Sequence, residues 1–160
     1  MIIVIIGTGG RENFISEKLN NGINKLYCIG TWRNPDIIKN TIDLFKIDSL
    51  SNCEMLLDYC NKLTPDMIVV GPESVLDTNF VEECSKKGYK CIGPCKQLAK
   101  LETSKYFTRE FLVEINEDFY NPLYFQLKKT NIDKQIKDFC SNNREIVIKV
   151  DNLACEFKLT

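Results

Sequence analysis

The chain contains no histidine, and none of its eight cysteines stands in a Cys-x-x-Cys pair. Without histidine, neither a Ser-His-Asp triad nor a Cys-His pair can form, and the usual general base at neutral pH is missing. The same two absences argue against a zinc site, because histidine and paired cysteines are the ligands that zinc uses most. Any chemistry must depend on Lys, Arg, Asp or Glu side chains, or on positioned backbone groups.

Long apolar runs and an excess of basic residues are also missing. No stretch approaches the roughly eighteen apolar residues that read as a membrane span, so we expect no membrane segment. The formal net charge is −1 and the basic residues form no long run, which argues against nucleic-acid binding. Because Met1 leads directly into a short strand rather than a signal peptide, we expect reduced cysteines and a cytoplasmic location.

The first dozen residues organise the chain. Ile2 to Ile6 is an unbroken run of β-branched residues, which predicts a central strand of a parallel sheet, buried on both faces. A glycine-rich turn at Gly7-Thr8-Gly9-Gly10 follows, and a helix is expected from about Arg11. Backbone N–H groups at a helix start attract anions, and the helix dipole adds roughly half a positive charge there. Arg11 can add a forked guanidinium, so the turn predicts a phosphate site.

Three interpretations of this turn remain open. The dinucleotide fingerprint Gly-x-Gly-x-x-Gly needs a third glycine where this chain has Glu12, and an acid after the second strand, where Gly30 to Arg33 has none. A turn that serves only close helix–strand packing is the second interpretation. A site for a small molecule that carries a phosphate is the one we favour.

The alternation of strands and helices up to residue 94 predicts an α/β fold, a doubly wound parallel sheet. Further strands are predicted at Lys25–Ile29, Thr41–Phe45, Asp66–Val70 and Tyr89–Ile92, and helices at 51–63, opened by a capping box at Ser51, and at 77–87. Strands end at Gly30, Gly71 and Gly93, which suggests that a ligand approaches the backbone at their carboxyl ends. Glu73 would place a carboxylate at the same edge.

The character of the sequence changes near Pro94 to Leu101. We predict helices at 96–100, 102–113 and 131–140, and strands at 122–127 and 145–150. Lys105 near a helix start and Lys149 at a strand end can both reach a nucleotide triphosphate. The division we expect is residues 1–97 and residues 98–160.

Five motifs in order resemble the phosphoribosylamine–glycine ligase family of the ATP-grasp superfamily. They are Gly7-Thr8-Gly9-Gly10-Arg11-Glu12, Val70-Gly71-Pro72-Glu73, Ile92-Gly93-Pro94, Leu101-Glu102-x-Ser104-Lys105-x-Phe107-Thr108 and Ile146-Val147-Ile148-Lys149-x-Asp151. The resemblance implies a Rossmann-like pre-ATP-grasp domain followed by the start of an ATP-grasp domain. It also implies the joining of glycine to 5-phosphoribosylamine with ATP, in purine biosynthesis.

The resemblance assigns roles to particular residues. The phosphoribosylamine substrate would be bound by Gly9, Gly10, Arg11, Glu12 and Glu73, and ATP by Lys105 and Lys149. Magnesium accompanies ATP in the family, with its carboxylate ligands expected beyond residue 160. We therefore expect a truncated chain that is inactive alone, or one completed by a second chain. The alternative is a non-catalytic module that binds a phosphoribosyl compound.

The chain departs from the family pattern at two places. Asn13 stands where the family has histidine after its Arg-Glu pair. Glu156, Phe157 and Lys158 occupy the positions of a Gly-Lys-Gly turn that covers ATP in the family.

Overall fold

The computed structural model describes residues 1–141 and 145–151. It divides into two compact units, Met1–Ala99 and Lys100–Thr160. The first unit holds a five-stranded, fully parallel sheet with the strand order β3-β2-β1-β4-β5. The strands are β1 Ile2–Ile6, β2 Lys25–Gly30, β3 Asp43–Lys46, β4 Met67–Val70 and β5 Cys91–Ile92.

Helices connect the strands of the first unit and lie between them in sequence. They are α1 Gly10–Leu19, α2 Pro35–Asn40, α3 Cys53–Leu63, α4 Glu73–Leu76 and α5 Phe80–Lys86, with α6 Lys96–Thr103 at its end. The helix predicted at 77–87 is observed as α5, which begins three residues later than predicted, and the separate α4 precedes it. Thr78 Oγ, before α5, accepts a hydrogen bond from the backbone N–H of Phe80 at 3.1 Å. A side chain that bonds local backbone in this way favours a turn over continued helix.

The first strand lies at the centre of the sheet, as the sequence predicts. Val4 pairs with Tyr27 of β2 on one side and with Ile68 of β4 on the other. Residues 3 to 6 are fully buried. A strand with neighbours on both sides and helices over both faces has no exposed position, which explains its unbroken apolar sequence.

Alternate side chains of β1 supply two separate cores. Val4 and Ile6 pack in the larger core with Leu56 of α3 and Phe80 of α5. Ile3 belongs to a second cluster, against which Ile15 and Leu19 of α1 pack. Because successive residues of a strand point to opposite faces, the two clusters lie on opposite sides of the sheet. The doubly wound arrangement is therefore confirmed.

The regular elements that the structure describes in the second unit are all helices. It contains α7 Lys105–Glu114, a short 3-10 helix at Asp118–Tyr120 and α8 Ile132–Ser141. The strands predicted at 122–127 and 145–150 are wrong, because the structure describes both segments without strand pairing. β-branched residues favour extended backbone, but a strand needs a neighbour for its hydrogen bonds.

Candidate functional site

The candidate site lies where the order of the sheet reverses, between β1 and β4. The chain moves outward from β1 to β2 and β3, and then returns to the other side of β1 to form β4 and β5. In open α/β sheets such a switch point leaves a crevice at the carboxyl ends of the strands. Here the crevice is bordered by the turn Gly7–Gly9, the start of α1, and the segment Gly71-Pro72 before α4.

Glu12 is the central side chain of this turn. Its carboxylate is buried, with 4% of the residue exposed, and Oε2 accepts a hydrogen bond from the backbone N–H of Gly9 at 2.7 Å. Gly9 is the residue that precedes α1, and Glu12 is the third residue of the helix. A glutamate at this position that bonds back to the capping residue satisfies an exposed helix donor and complements the helix dipole.

Glycines surround the Glu12 carboxylate because no larger residue fits there. A Cβ atom at position 9 would lie 2.9 Å from Oε2 of Glu12, and one at position 7 would lie 2.9 Å from its carboxyl carbon. A Cβ at position 71 would overlap Oε1. Gly7 also has a φ of +109°, which a side chain rarely tolerates. The three glycines thus form a closely fitting space around an internal carboxylate.

The second strand anchors the turn from its other side. The Cys28 thiol donates to the carbonyl of Gly7 at 3.1 Å, and Asn34 Nδ2 donates to the carbonyl of Thr8 at 3.1 Å. Burial raises the pKa of the Cys28 thiol to about 12, and the negative charge of Glu12 adds to the effect. Cys28 therefore keeps its proton and remains a donor. Gly30 has no side chain because that of Thr8 fills the space.

Arg11 connects the start of α1 to the end of β4. Its guanidinium donates to the carbonyl of Gly71 and, at 2.7 Å, to Oε1 of Glu73. The hydrogen bond from Arg11 holds the pKa of Glu73 below its ordinary value. The Arg11 side chain is 59% exposed and that of Glu73 31% exposed, so both reach solvent at the mouth of the crevice.

The five residues predicted to bind the phosphoribosyl substrate belong to this one region. The structure brings together Gly9, Gly10, Arg11, Glu12 and Glu73 at the carboxyl ends of β1 and β4. The sequence analysis missed Thr8, Cys28 and Asn34, which hold the turn in place. The glycines at the ends of β2 and β4 were the available signal. They were interpreted as leaving room for a ligand, whereas the side chains of Thr8 and Glu12 fill that room.

The second unit brings the two predicted ATP lysines into one local arrangement. The Asp151 carboxylate accepts hydrogen bonds from Ser104 Oγ at 2.9 Å and from the backbone N–H of Tyr106 at 3.0 Å. Lys105 Nζ lies 3.4 Å from the carbonyl of Val150, the residue after Lys149. Lys149 is exposed and does not lie at the end of a strand. The segment that follows Lys149 thus lies against the start of α7.

The described residues contain neither a metal-binding cluster nor a membrane-spanning helix. In residues 1–141 and 145–151, no group of three His, Cys, Asp or Glu side chains is placed to hold a metal ion. Within the same ranges, no helix is both long enough and apolar enough to cross a membrane. Positions 156–158, which depart from the family pattern, lie outside the described residues.

Solved structures share this fold over most of the chain. An N5-carboxyaminoimidazole ribonucleotide synthetase in complex with ADP matches 96% of this chain and 38% of its own, with a TM-score of 0.69 and 14% identity. A biotin carboxylase domain of a single-chain bacterial carboxylase matches 92% of this chain and 36% of its own, with a TM-score of 0.66 and 11% identity. The fold of this chain is therefore the α/β fold that these structures share over this length.

Sequence comparison identifies the family within that class. Residues 1–102 match the family described as phosphoribosylglycinamide synthetase, N domain, and the chain belongs to this family. It is 31% identical to the phosphoribosylamine–glycine ligase of Pyrococcus horikoshii, over 72% of this chain and 26% of the relative. It is also 31% identical to that of Clostridium acetobutylicum, over 96% of this chain and 36% of the relative. The chain thus spans about a quarter to a third of the length of these relatives.

Proposed function

We propose that this chain supplies the phosphoribosylamine-binding part of a phosphoribosylamine–glycine ligase of purine biosynthesis. The reaction would join glycine to 5-phosphoribosylamine with ATP and form glycinamide ribonucleotide, ADP and phosphate. Family membership supports the proposal. The structural observation that carries it is the position of Arg11, whose guanidinium is held by Gly71 and Glu73 beside the first turn of α1. A guanidinium next to a helix N-terminus suits a phosphate monoester.

The substrate phosphate would bind at the first turn of α1. Gly10 and Arg11 are exposed there, and the first N–H groups of a helix have no acceptor within the helix. Gly9 and Glu12 would act from behind by holding the turn in shape. Glu73 would accept hydrogen bonds from the ribose hydroxyls or the amine. Each hydrogen bond to a charged group contributes about 1.5–3 kcal/mol.

ATP would be bound in the second unit. Lys105 and Lys149 would face its phosphates, where fixed cations stabilise the charge of a transferring phosphoryl group. ATP supplies that phosphoryl group when it is bound. Magnesium is a different case, because the described residues contain no group of three potential ligands. We propose that residues 1–160 alone give no ligase turnover.

Two further elements of the proposal concern the setting of the chain. A second chain that carries the remaining ligase sequence would be its partner, and the cytoplasm would be its compartment. A module that binds a phosphoribosyl compound without chemistry is the alternative. ADP formed by the two chains together, and only when both glycine and the sugar amine are present, would separate the ligase part from the non-catalytic module.

Calorimetry with ribose 5-phosphate tests the binding step. We expect weak affinity, near millimolar or roughly −4 kcal/mol, with ribose itself not binding. Arg11→Ala should weaken binding, whereas Lys18→Ala, which removes the same charge at the other end of α1, should not. If ribose and ribose 5-phosphate bind alike, or if the two variants behave alike, the proposed phosphate site is wrong.

A turnover assay tests the expectation of inactivity. ADP release would be followed with the purified 160-residue chain, ATP, glycine and phosphoribosylamine. ADP formation that requires both glycine and the amine would overturn the expectation and show that residues 1–160 are sufficient for the chemistry.

A further inference from the structure

The turn between β1 and α1 resembles dinucleotide-binding turns in its first two glycines but differs at Glu12. In the Gly-x-Gly-x-x-Gly turn, a diphosphate approaches the backbone at the start of the helix. The third glycine of that pattern is replaced here by Glu12. The side chain of Glu12 does not point away from the turn, because its carboxylate bonds the N–H of Gly9 at 2.7 Å.

The Glu12 carboxylate fills the space that an external anion would have to enter in order to reach the backbone of the turn. Added Cβ atoms at Gly9 and Gly7 would lie 2.9 Å from the carboxylate oxygen or carbon, and one at Gly71 would overlap it. With 4% of the residue exposed, Glu12 lies inside the turn rather than on it. An anionic group from outside would need to displace this side chain before it could reach the amide of Gly9.

Charge strengthens the steric argument. The influence of Glu12 on the Cys28 thiol indicates that its negative charge is felt across the turn. Asp or Glu next to an incoming phosphate repels it, and the effect is strongest where water is excluded. Arg11 lies at the outer side of the helix start, bonded to Gly71 and Glu73.

We propose that Glu12 is a specificity-determining residue, an internal anion that closes the turn at Gly7 and Gly9 to the diphosphate of nucleotides and dinucleotides. The exposed first turn of α1 at Gly10 and Arg11 then remains as the place for a phosphate monoester. The binding of a phosphate monoester rests on the proposed function. The exclusion of nucleotide and dinucleotide diphosphates does not depend on it.

Inorganic pyrophosphate is the probe, and calorimetry with the full 160-residue chain is the measurement. Wild type should bind it weakly or not at all. Glu12→Ala removes the carboxylate and leaves the Gly9 amide open, so binding should tighten by at least about tenfold, the effect of one charge-assisted hydrogen bond. Glu12→Gln is the matched control, because its amide oxygen can accept the same bond and fills nearly the same volume. It should bind pyrophosphate more tightly than wild type, because the charge is gone, but less tightly than Glu12→Ala, because the amide still fills the space.

Each result bears on the inference. Pyrophosphate binding by wild type as tight as by Glu12→Ala would overturn it. If Glu12→Gln gains as much as Glu12→Ala, charge alone excludes the anion and the claim of occupied space is wrong. Should Glu12→Ala fail to fold, a gain in Glu12→Gly, which restores the third glycine, decides the question, and no gain there rejects the proposal. Ribose 5-phosphate is measured in parallel, since its failure to bind would reject the proposed function without affecting the pyrophosphate result.

Discussion

The carboxylate of Glu12 occupies the position that a side chain at residue 71 would need. The two residues lie 59 positions apart in sequence, on α1 and at the end of β4. Position 71 therefore requires glycine because a side chain there would overlap Glu12 of α1. Gly71, directly after β4, and Glu12, in the first turn of α1, thus constrain each other.

The first prediction is that Gly71→Ala destabilises the first unit. The new methyl group would force Glu12 from its bond with Gly9, and overpacking of this kind costs about 1–3 kcal/mol. Urea unfolding followed by the fluorescence of Trp32, the single tryptophan, measures the change. Gly10→Ala is the matched control, since a Cβ at position 10 meets no atom within 4 Å.

A double variant makes this prediction specific to the Glu12–Gly71 contact. In a Glu12→Ala background, Gly71→Ala should cost much less, because the group it collides with is gone, and contacting residues are expected to be non-additive. Equal costs of Gly71→Ala in the two backgrounds would mean that Glu12 does not occupy this space.

The sequence predicted the sheet because its central strand has one consistent structural interpretation. Ile2–Ile6 is apolar at every position and stops at a glycine, and the structure gives the strand those bounds. Local signals placed the start of a helix less accurately, as the cap of α3 shows. A capping box at Ser51 was predicted, whereas the side chain of Asn52 accepts the bond from the N–H of Met55 at 3.0 Å. Neighbouring Ser and Asn residues carry the same signal, so sequence alone does not choose between them.

The candidate site was predictable in its location but not in its interior. Glycines and Arg11 indicate a helix start at a strand end, and that signal is local in sequence. Glu12 was predicted to bind the substrate, and the structure adds that its carboxylate accepts a hydrogen bond from the N–H of Gly9. Phe14 of α1 is 59% exposed, whereas Glu12 and Ser16 of the same helix are buried. A helix that buries polar residues against a turn has no apolar periodicity to detect.

The second prediction concerns the pH dependence of the Arg11–Glu73 pair. Arg11 lowers the pKa of Glu73 in the folded chain, below the value of about 4.3 for an unperturbed glutamate. The pair therefore stabilises the fold fully above that value, and the contribution is lost as the pH falls through the folded pKa. Because both side chains are partly exposed, we expect at most about 1 kcal/mol.

Urea unfolding of wild type and Arg11→Ala at pH 7 and at pH 3 measures this contribution. The difference in unfolding free energy should be larger at pH 7 than at pH 3. In a Glu73→Gln background the difference should no longer depend on pH. A wild-type advantage that grows on acidification would contradict the assigned cause.

The third prediction is that the buried thiols resist alkylation in the folded chain. Burial raises the pKa values of Cys28 and Cys60 to about 12, so neither forms appreciable thiolate at pH 8. The thiolate is the reactive form of cysteine. Among the seven cysteines in residues 1–141, Cys140 on α8 is the exposed one and should react first.

Iodoacetamide labelling followed by peptide mapping tests this order of reactivity. Cys28 and Cys60 should be labelled only after urea is added, and the Cys140→Ser variant should lose a rapidly labelled site. Labelling of Cys28 as fast as Cys140 in the absence of urea would show that the thiol does not remain buried beneath the Gly7 turn.

The fourth prediction concerns Thr64, which ends α3 in the left-handed conformation. Its φ is +46° and ψ +60°, and its backbone N–H donates to the carbonyl of Cys60 at 2.8 Å. This conformation is costly for a β-branched residue, whereas glycine adopts it freely. The Thr64 side chain is exposed, so its removal sacrifices little packing. Thr64→Gly should therefore raise the unfolding free energy, by about 0.5–1 kcal/mol after the greater entropy of glycine in the unfolded chain is counted.

Thr41 supplies the matched control for this substitution, because it also follows a helix but has an extended backbone, with a φ of −115°. Its hydroxyl donates to the carbonyl of Ile37 at 2.9 Å, so Thr41→Gly removes a hydrogen bond and relieves no strain. We expect Thr64→Gly to increase the urea midpoint and Thr41→Gly to lower it, with Trp32 fluorescence as the readout for both. A loss of stability in Thr64→Gly equal to that in Thr41→Gly would mean that the left-handed cap at Thr64 carries no strain for glycine to relieve.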